Sequence, residues 1–153
     1  MPQVSRVQEI SLVMPAIEER RVCVAPPEPS TILLVEDEGF VREVACLVLK
    51  SAGYRVLSTR TAAEAKRKFR SCVEGIELLL TDVVLPGRDG LALANDLQGL
   101  CPALKTIFMS GYPENAVTLS GLHKQQGVYL HKPFSTESLI GMVRRVLEAT
   151  EKN

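Results

Sequence analysis

The chain has no tryptophan, only 5% aromatic residues, and no excess charge of either sign, with 18 basic against 18 acidic residues in 153. Zero net charge removes the basic footprint that a free-standing nucleic-acid binder usually carries. No apolar run approaches the roughly 20 residues that a membrane-spanning helix needs. The N-terminus has no basic stretch leading into an apolar core, which argues against secretion and for a cytoplasmic protein. Cys23, Cys46, Cys72 and Cys101 form no C-x-x-C pair, so zinc and redox motifs are absent and free thiols in a reducing compartment are expected. Glycine is missing from the first 29 residues, which hold five of the nine prolines.

What remains is the composition of one soluble globular domain, 46% hydrophobic and 24% charged. Residues 1–29 read as a proline-rich, flexible extension. Pro26, Pro27 and Pro29 make its end a stiff, extended linker, since each proline pushes the preceding residue out of helix. Within it the short apolar segment Ile10-Ser11-Leu12-Val13-Met14 reads as a strand or docking peptide, too short to fold alone. The folded domain is expected over 30–153. There, apolar runs alternate with helical periods. Strands are predicted at 31–35, 54–58, 77–81, 104–109 and 127–130. Helices are predicted at 40–51, with an apolar face at 41, 44, 45 and 48, at 62–72 behind a Thr61/Glu64 capping box, at 89–100, at 113–122, and from Ser135 onward. Five β-α units with strands apolar on both faces call for an α/β fold, a parallel sheet sandwiched between helices. The 77–81 strand, wholly apolar at 78–80, should be central.

In open α/β sheets ligands bind beyond the carboxyl ends of the strands, so the residue after each strand matters first. Glu36, Asp37 and Glu38 follow the first strand, Asp82 the third, Ser110 the fourth, and His131 and Lys132 the fifth. Carboxylates gathered this densely repel unless a cation sits among them. Hard oxygen ligands suit Mg²⁺, which keeps several waters and accepts a phosphate oxygen. Lys132 adds a second positive charge and Ser110 a hydroxyl donor. The set describes a phosphoryl pocket with Asp82 as its nucleophilic acceptor. Any one of these residues alone is an ordinary cap or turn, but no capping rule requires all four strand ends to be equipped together.

Taken together, Val35-Glu36-Asp37-Glu38, the run from Leu80 through Thr81-Asp82-Val83-Val84-Leu85-Pro86-Gly87 to Gly90, Met109-Ser110-Gly111-Tyr112 and Tyr129-Leu130-His131-Lys132-Pro133-Phe134 resemble the receiver domain of two-component response regulators. The resemblance covers about residues 30–150. It implies a doubly wound, flavodoxin-like five-stranded parallel sheet in strand order 2-1-3-4-5. It implies Asp82 as phospho-acceptor and Mg²⁺ held by Asp37, Asp82 and the backbone carbonyl of Val84, with Glu36 acting through water. Ser110 corresponds to the switch hydroxyl, Lys132 to the lysine that pairs with the phosphoryl oxygen, and Tyr129 to an aromatic switch that turns from exposed to buried. A cis Lys132-Pro133 bond is implied too. Glu36 in place of aspartate and Ser110 in place of threonine are the less common alternatives, and both keep the required oxygen.

The resemblance implies a signalling switch and not an enzyme. The implied partners are a histidine kinase or phosphotransfer protein, and a downstream protein at the face of the fourth helix, fifth strand and last helix. That face also suits a homodimer. Direct nucleic-acid and membrane contacts are not expected. With few residues after the last helix, output runs through protein contacts, and Met1 with the leader favours a stand-alone protein over the receiver of a hybrid sensor kinase. A haloacid-dehalogenase-like phosphatase is the rival enzyme. It wants a second carboxylate two residues past the nucleophile, where Val84 stands. A flavin-binding protein of the same topology wants a phosphate loop after strand one, where Glu36-Asp37-Glu38 would repel a phosphate. Lys66, Arg67, Lys68 and Arg70 read as a solvated helix face, His123 and His131 as surface residues, and Cys46 and Cys72 as packed small side chains.

Overall fold

The computed structural model describes residues 28–72, 75–111 and 128–151. Their order is β1 (Thr31–Val35), α1 (Gly39–Ser51), β2 (Arg55–Thr59), α2 (Ala62–Ser71), β3 (Ile76–Asp82), α3 (Gly90–Leu100), β4 (Lys105–Ser110), β5 (Val128–His131) and α4 (Thr136–Glu151). The helix expected at 113–122, together with Tyr112 and His123, lies outside the described residues, as does most of the leader. The strands form one parallel sheet in the order β2-β1-β3-β4-β5, with β3 at its centre.

Alternation along each strand divides the core in two. Leu33, Val35, Leu79 and Phe108 point to one face, where Ala65 and Phe69 of α2 and Leu93 and Leu97 of α3 cover them. Ile32, Leu34, Leu78, Leu80, Ile107 and Met109 point to the other, beneath Ala45 and Leu49 of α1 and Leu139 and Val143 of α4. Because both faces are covered, the strands read as continuous apolar runs. Among the described residues no helix is long and apolar enough to cross a membrane.

Local chemistry sets the helix starts. Thr61 Oγ1 accepts from Glu64 N at 3.1 Å, while Glu64 Oε1 accepts from Arg60 N at 2.9 Å, so the box closes one residue earlier than the usual pattern. Asp89 caps α3 by accepting from Ala92 N at 2.7 Å. Ser135 and Ser138 satisfy each other's backbone N–H groups ahead of α4.

Two expectations are corrected. The buried face of α1 includes Ala45, as expected, but turns toward Leu49, with Cys46 and Val48 at its margin; Val44, expected inside, is 38% exposed, and Leu47 is 69% exposed. Apolar residues occur around most of α1, so composition leaves its rotation open, and packing against the sheet and the last helix decides it. Cys72 is exposed at the end of α2 instead of packed, because α2 stops at Ser71, whereas Cys46 is half-buried against the core.

Gly90 ties α3 to the sheet. Its N–H donates to Val83 O at 2.7 Å, and a Cβ at this position would overlap the Asp82 carbonyl oxygen. Gly99, in the same helix, has open space where its Cβ would stand. Gly90→Ala should therefore cost about 1–3 kcal/mol through overpacking. Gly99→Ala should gain roughly 0.5–1 kcal/mol from its helix preference. Urea unfolding of the two variants checks the opposite signs.

Candidate phosphoryl-acceptor site

The carboxyl ends of β1, β3, β4 and β5 bring together Glu36, Asp82, Ser110 and Lys132, the residues singled out in the sequence. Backbone hydrogen bonds hold these ends in line: Glu36 N donates to Thr59 O at 3.1 Å, Val83 N to Met109 O at 3.0 Å, and Lys132 N to Ser110 O at 2.8 Å. The Lys132-Pro133 peptide is cis, as expected.

Lys132 Nζ lies 2.9 Å from Asp82 Oδ2, to which it donates a hydrogen bond, and 2.8 Å from Glu36 Oε1. The second contact is an ion pair whose angle misses that of a hydrogen bond. The fully buried Oε1 thus has a counter-charge but no directional donor. Its neighbour Glu36 Oε2 accepts from Glu38 N at 3.1 Å. Ligand oxygens of Glu36, Asp37 and Asp82 all lie within 4.8 Å of one another, with Asp37 on the solvent side.

Two of these three carboxylates, Glu36 and Asp82, therefore share one ammonium. Burial is the main reason the Asp82 carboxyl is pushed up from 3.8 to about 6; the Lys132 hydrogen bond opposes the rise and the Glu36 charge adds to it. Burial by itself would lower the Lys132 ammonium, but Glu36 and Asp82 together outweigh it and raise the group above its usual value. The two shifts agree physically, since Lys132 faces two anions and Asp82 faces one cation, one anion and little water. An oxygen-rich cluster still negative after its lysine is counted fits a hard divalent cation such as Mg²⁺, with Glu36, Asp37 and Asp82 as the available donors.

Ser110 is 4% exposed at the end of β4. Tyr129 was expected to stand exposed before any switch. Instead it is half-buried, stacked on Phe108 with ring centroids 5.8 Å apart, and burial raises its phenol. It follows from the register, which sets Phe108 beside Tyr129 on the α2/α3 side of the sheet. The Val84 side chain is 51% exposed, in the turn just past Asp82.

Sequence reasoning missed three supporting residues. Arg42 donates to Glu36 O at 2.9 Å from the first turn of α1. Thr59, at the end of β2, is buried and donates to Leu34 O at 3.0 Å. Gly90 admits the Asp82 carbonyl. Only Gly90 carried a signal, a glycine opening the helix that follows β3. The exposed Arg67, Lys68 and Arg70 and the exposed His131 match their reading as surface, while Lys66 pairs with Asp96 at 2.8 Å.

A carboxyl whose folded-state value exceeds its unfolded one is favoured by folding when protonated. The Asp82 contribution is therefore complete below 3.8 and lost as pH rises through about 6. In metal-free buffer the native protein should lose stability across that window. Asp82→Asn should lack this slope and be about 1–2 kcal/mol more stable at neutral pH. Urea melts at a series of pH values report both.

The family described as "Response regulator receiver domain" matches residues 32–144. Sensor kinase CckA of Brucella abortus (strain 2308) is 35% identical over 119 residues, 78% of this chain but 13% of that protein. The response regulator receiver protein CpdR of the same organism is 32% identical over 118 residues, 77% of this chain and 97% of its own. Among solved structures, a CheY-like receiver protein from Methanospirillum hungatei JF-1 superposes with a TM-score of 0.72 at 27% identity, covering 81% of this chain and 98% of that one. The receiver domain of hybrid histidine kinase CckA gives 0.66 at 31% identity, covering 77% and 99%.

Proposed function

The chain belongs to the response regulator receiver domain family of two-component systems, and from that premise we propose that Asp82 takes a phosphoryl group from the phosphohistidine of a histidine kinase or phosphotransfer protein. The observation that carries this reading is the Asp82 carboxylate gripped by Lys132 between Glu36 and the open side of the site. An Asp82 oxygen attacks phosphorus, the new O–P bond forms as the N–P bond breaks, and the imidazole nitrogen leaves with its electron pair. Lys132 remains protonated and neutralises charge on the transferred oxygens, and the Ser110 hydroxyl donates to another. Asp37, Asp82 and the Val84 carbonyl would hold Mg²⁺, with Glu36 reaching it through water. The ion supplies electrostatic stabilisation of the transferring group.

The aspartyl phosphate carries about −1.5 to −2 charge. Ser110 and, through the Phe108 stack, Tyr129 relay that change to the β5 and α4 side. There, output proceeds through protein contacts, self-association among them, in a cytoplasmic setting. The helix expected at 113–122 would belong to the partner face.

Acetyl phosphate with Mg²⁺ should add a single phosphoryl group by intact mass, absent without the metal and absent in Asp82→Asn. An equal adduct in that variant would refute the acceptor. Mg²⁺ titration followed by amide chemical shifts should show Asp37→Ala losing more affinity than Glu36→Ala. The reverse order would overturn the ligand scheme.

A further inference from the structure

The orientation of α1 leaves an apolar stripe that no described residue covers. Phe40 is 77% exposed, Val44 38% and Leu47 69%, at spacings of four and three residues that align them along one side of the helix. Val41, Pro133 and Phe134 continue the stripe into a cleft of about 330 Å³ bordered by Glu38 and Lys132. A contiguous apolar surface of this kind marks a docking site.

The chain itself carries a matching element. By the two-residue alternation of an extended chain, Ile10, Leu12 and Met14 would share one side and span about 13 Å at strand rise. Phe40 to Leu47 span about 10 Å at helical rise. The leader also joins the fold at the right place. Arg55 N donates to Ser30 O at 2.9 Å and Arg55 pairs with Glu28, so the chain enters beside the turn from α1 to β2, at the foot of α1. Between Met14 and Glu28 lie thirteen residues, three of them prolines, Pro15, Pro26 and Pro27. At about 3.1 Å per extended residue they reach about 40 Å, twice the length of α1.

We infer that residues 10–14 dock in cis on the Phe40–Val44–Leu47 stripe of α1, beside the phosphoryl-acceptor site. Three small contacts are weak between separate molecules. A tether changes this: a contact with a dissociation constant of about 1 mM is roughly half occupied when the linker supplies an effective concentration of about 1 mM. The same contact between two copies at micromolar concentration stays empty, which favours the chain's own segment over a second copy. Docking does not depend on phosphorylation. Its consequence, that a protein donor approaching Lys132 must displace the segment, rests on the function proposed above.

The absence of tryptophan supplies a clean probe. Phe40→Trp, at an exposed position, is read in the full chain by emission wavelength and acrylamide quenching. It is compared with the same variant carrying Ile10→Ser, Leu12→Ser and Met14→Ser. Docking predicts blue-shifted emission and quenching lowered about twofold in the chain with the native segment, unchanged over about a hundredfold range of protein concentration. Equal quenching in both chains overturns the proposal, and protection that appears only as concentration rises overturns it in favour of a second copy. Acetyl phosphate labelling of both chains is run alongside. Failure to label either one counts against the phosphoryl-acceptor reading and leaves the docking result standing.

Discussion

One ammonium group organises this molecule's functional end. Lys132 Nζ sits within 2.9 Å of carboxylate oxygens from two other strand ends, Glu36 after β1 and Asp82 at the end of β3. Without that cation two buried acids would face each other in a poorly solvated pocket, and one would have to hold a proton. The pairing is possible only because a parallel sheet delivers residues 36, 82 and 132 to one edge. The sheet order, the strand registers and the backbone bond from Lys132 N to Ser110 O all serve that meeting. The lysine also leaves the cluster negative, so the pocket retains an appetite for a further cation and for an anion bridging the two.

How much of this was legible in the amino-acid order depends on which constraint set each feature. Strands buried on both faces must be apolar throughout, so 31–35 and 78–80 announced a parallel sheet with β3 inside it. Site residues were legible because position after a strand fixes position in space; Asp82, Ser110 and Lys132 needed only that rule. The rotation of α1 was not, since apolar residues occur around most of that helix and tertiary packing alone selects Ala45 and Leu49. Nor were Arg42 and Thr59, whose bonds are to backbone carbonyls and leave no distinctive spacing. Tyr129 was assigned to the right strand but given the wrong exposure, because its environment comes from Phe108 on a neighbouring strand.

Electrostatics and packing meet at the same residue. Asp82 lies at the end of the central strand, and burial contributes most to raising its carboxyl. A surface aspartate would be easier to accommodate and more fully ionised, but its charge would be screened by water and its field on Lys132 weaker. The fold tolerates an uncomfortable carboxylate at the place where added charge has the greatest leverage on its neighbours.

The contact between Gly90 and the Asp82 carbonyl has a mechanical meaning. It clamps the start of α3 against the backbone of β3, with no side chain between to act as a cushion. On the opposite side, β5 is an edge strand of four residues with a single sheet neighbour. The pocket is thus a vice with one fixed jaw. Under the function proposed above, a group added to Asp82 meets a strand held fast by α3, so any yielding would fall to the β5 side, which carries Tyr129 and leads into Lys132.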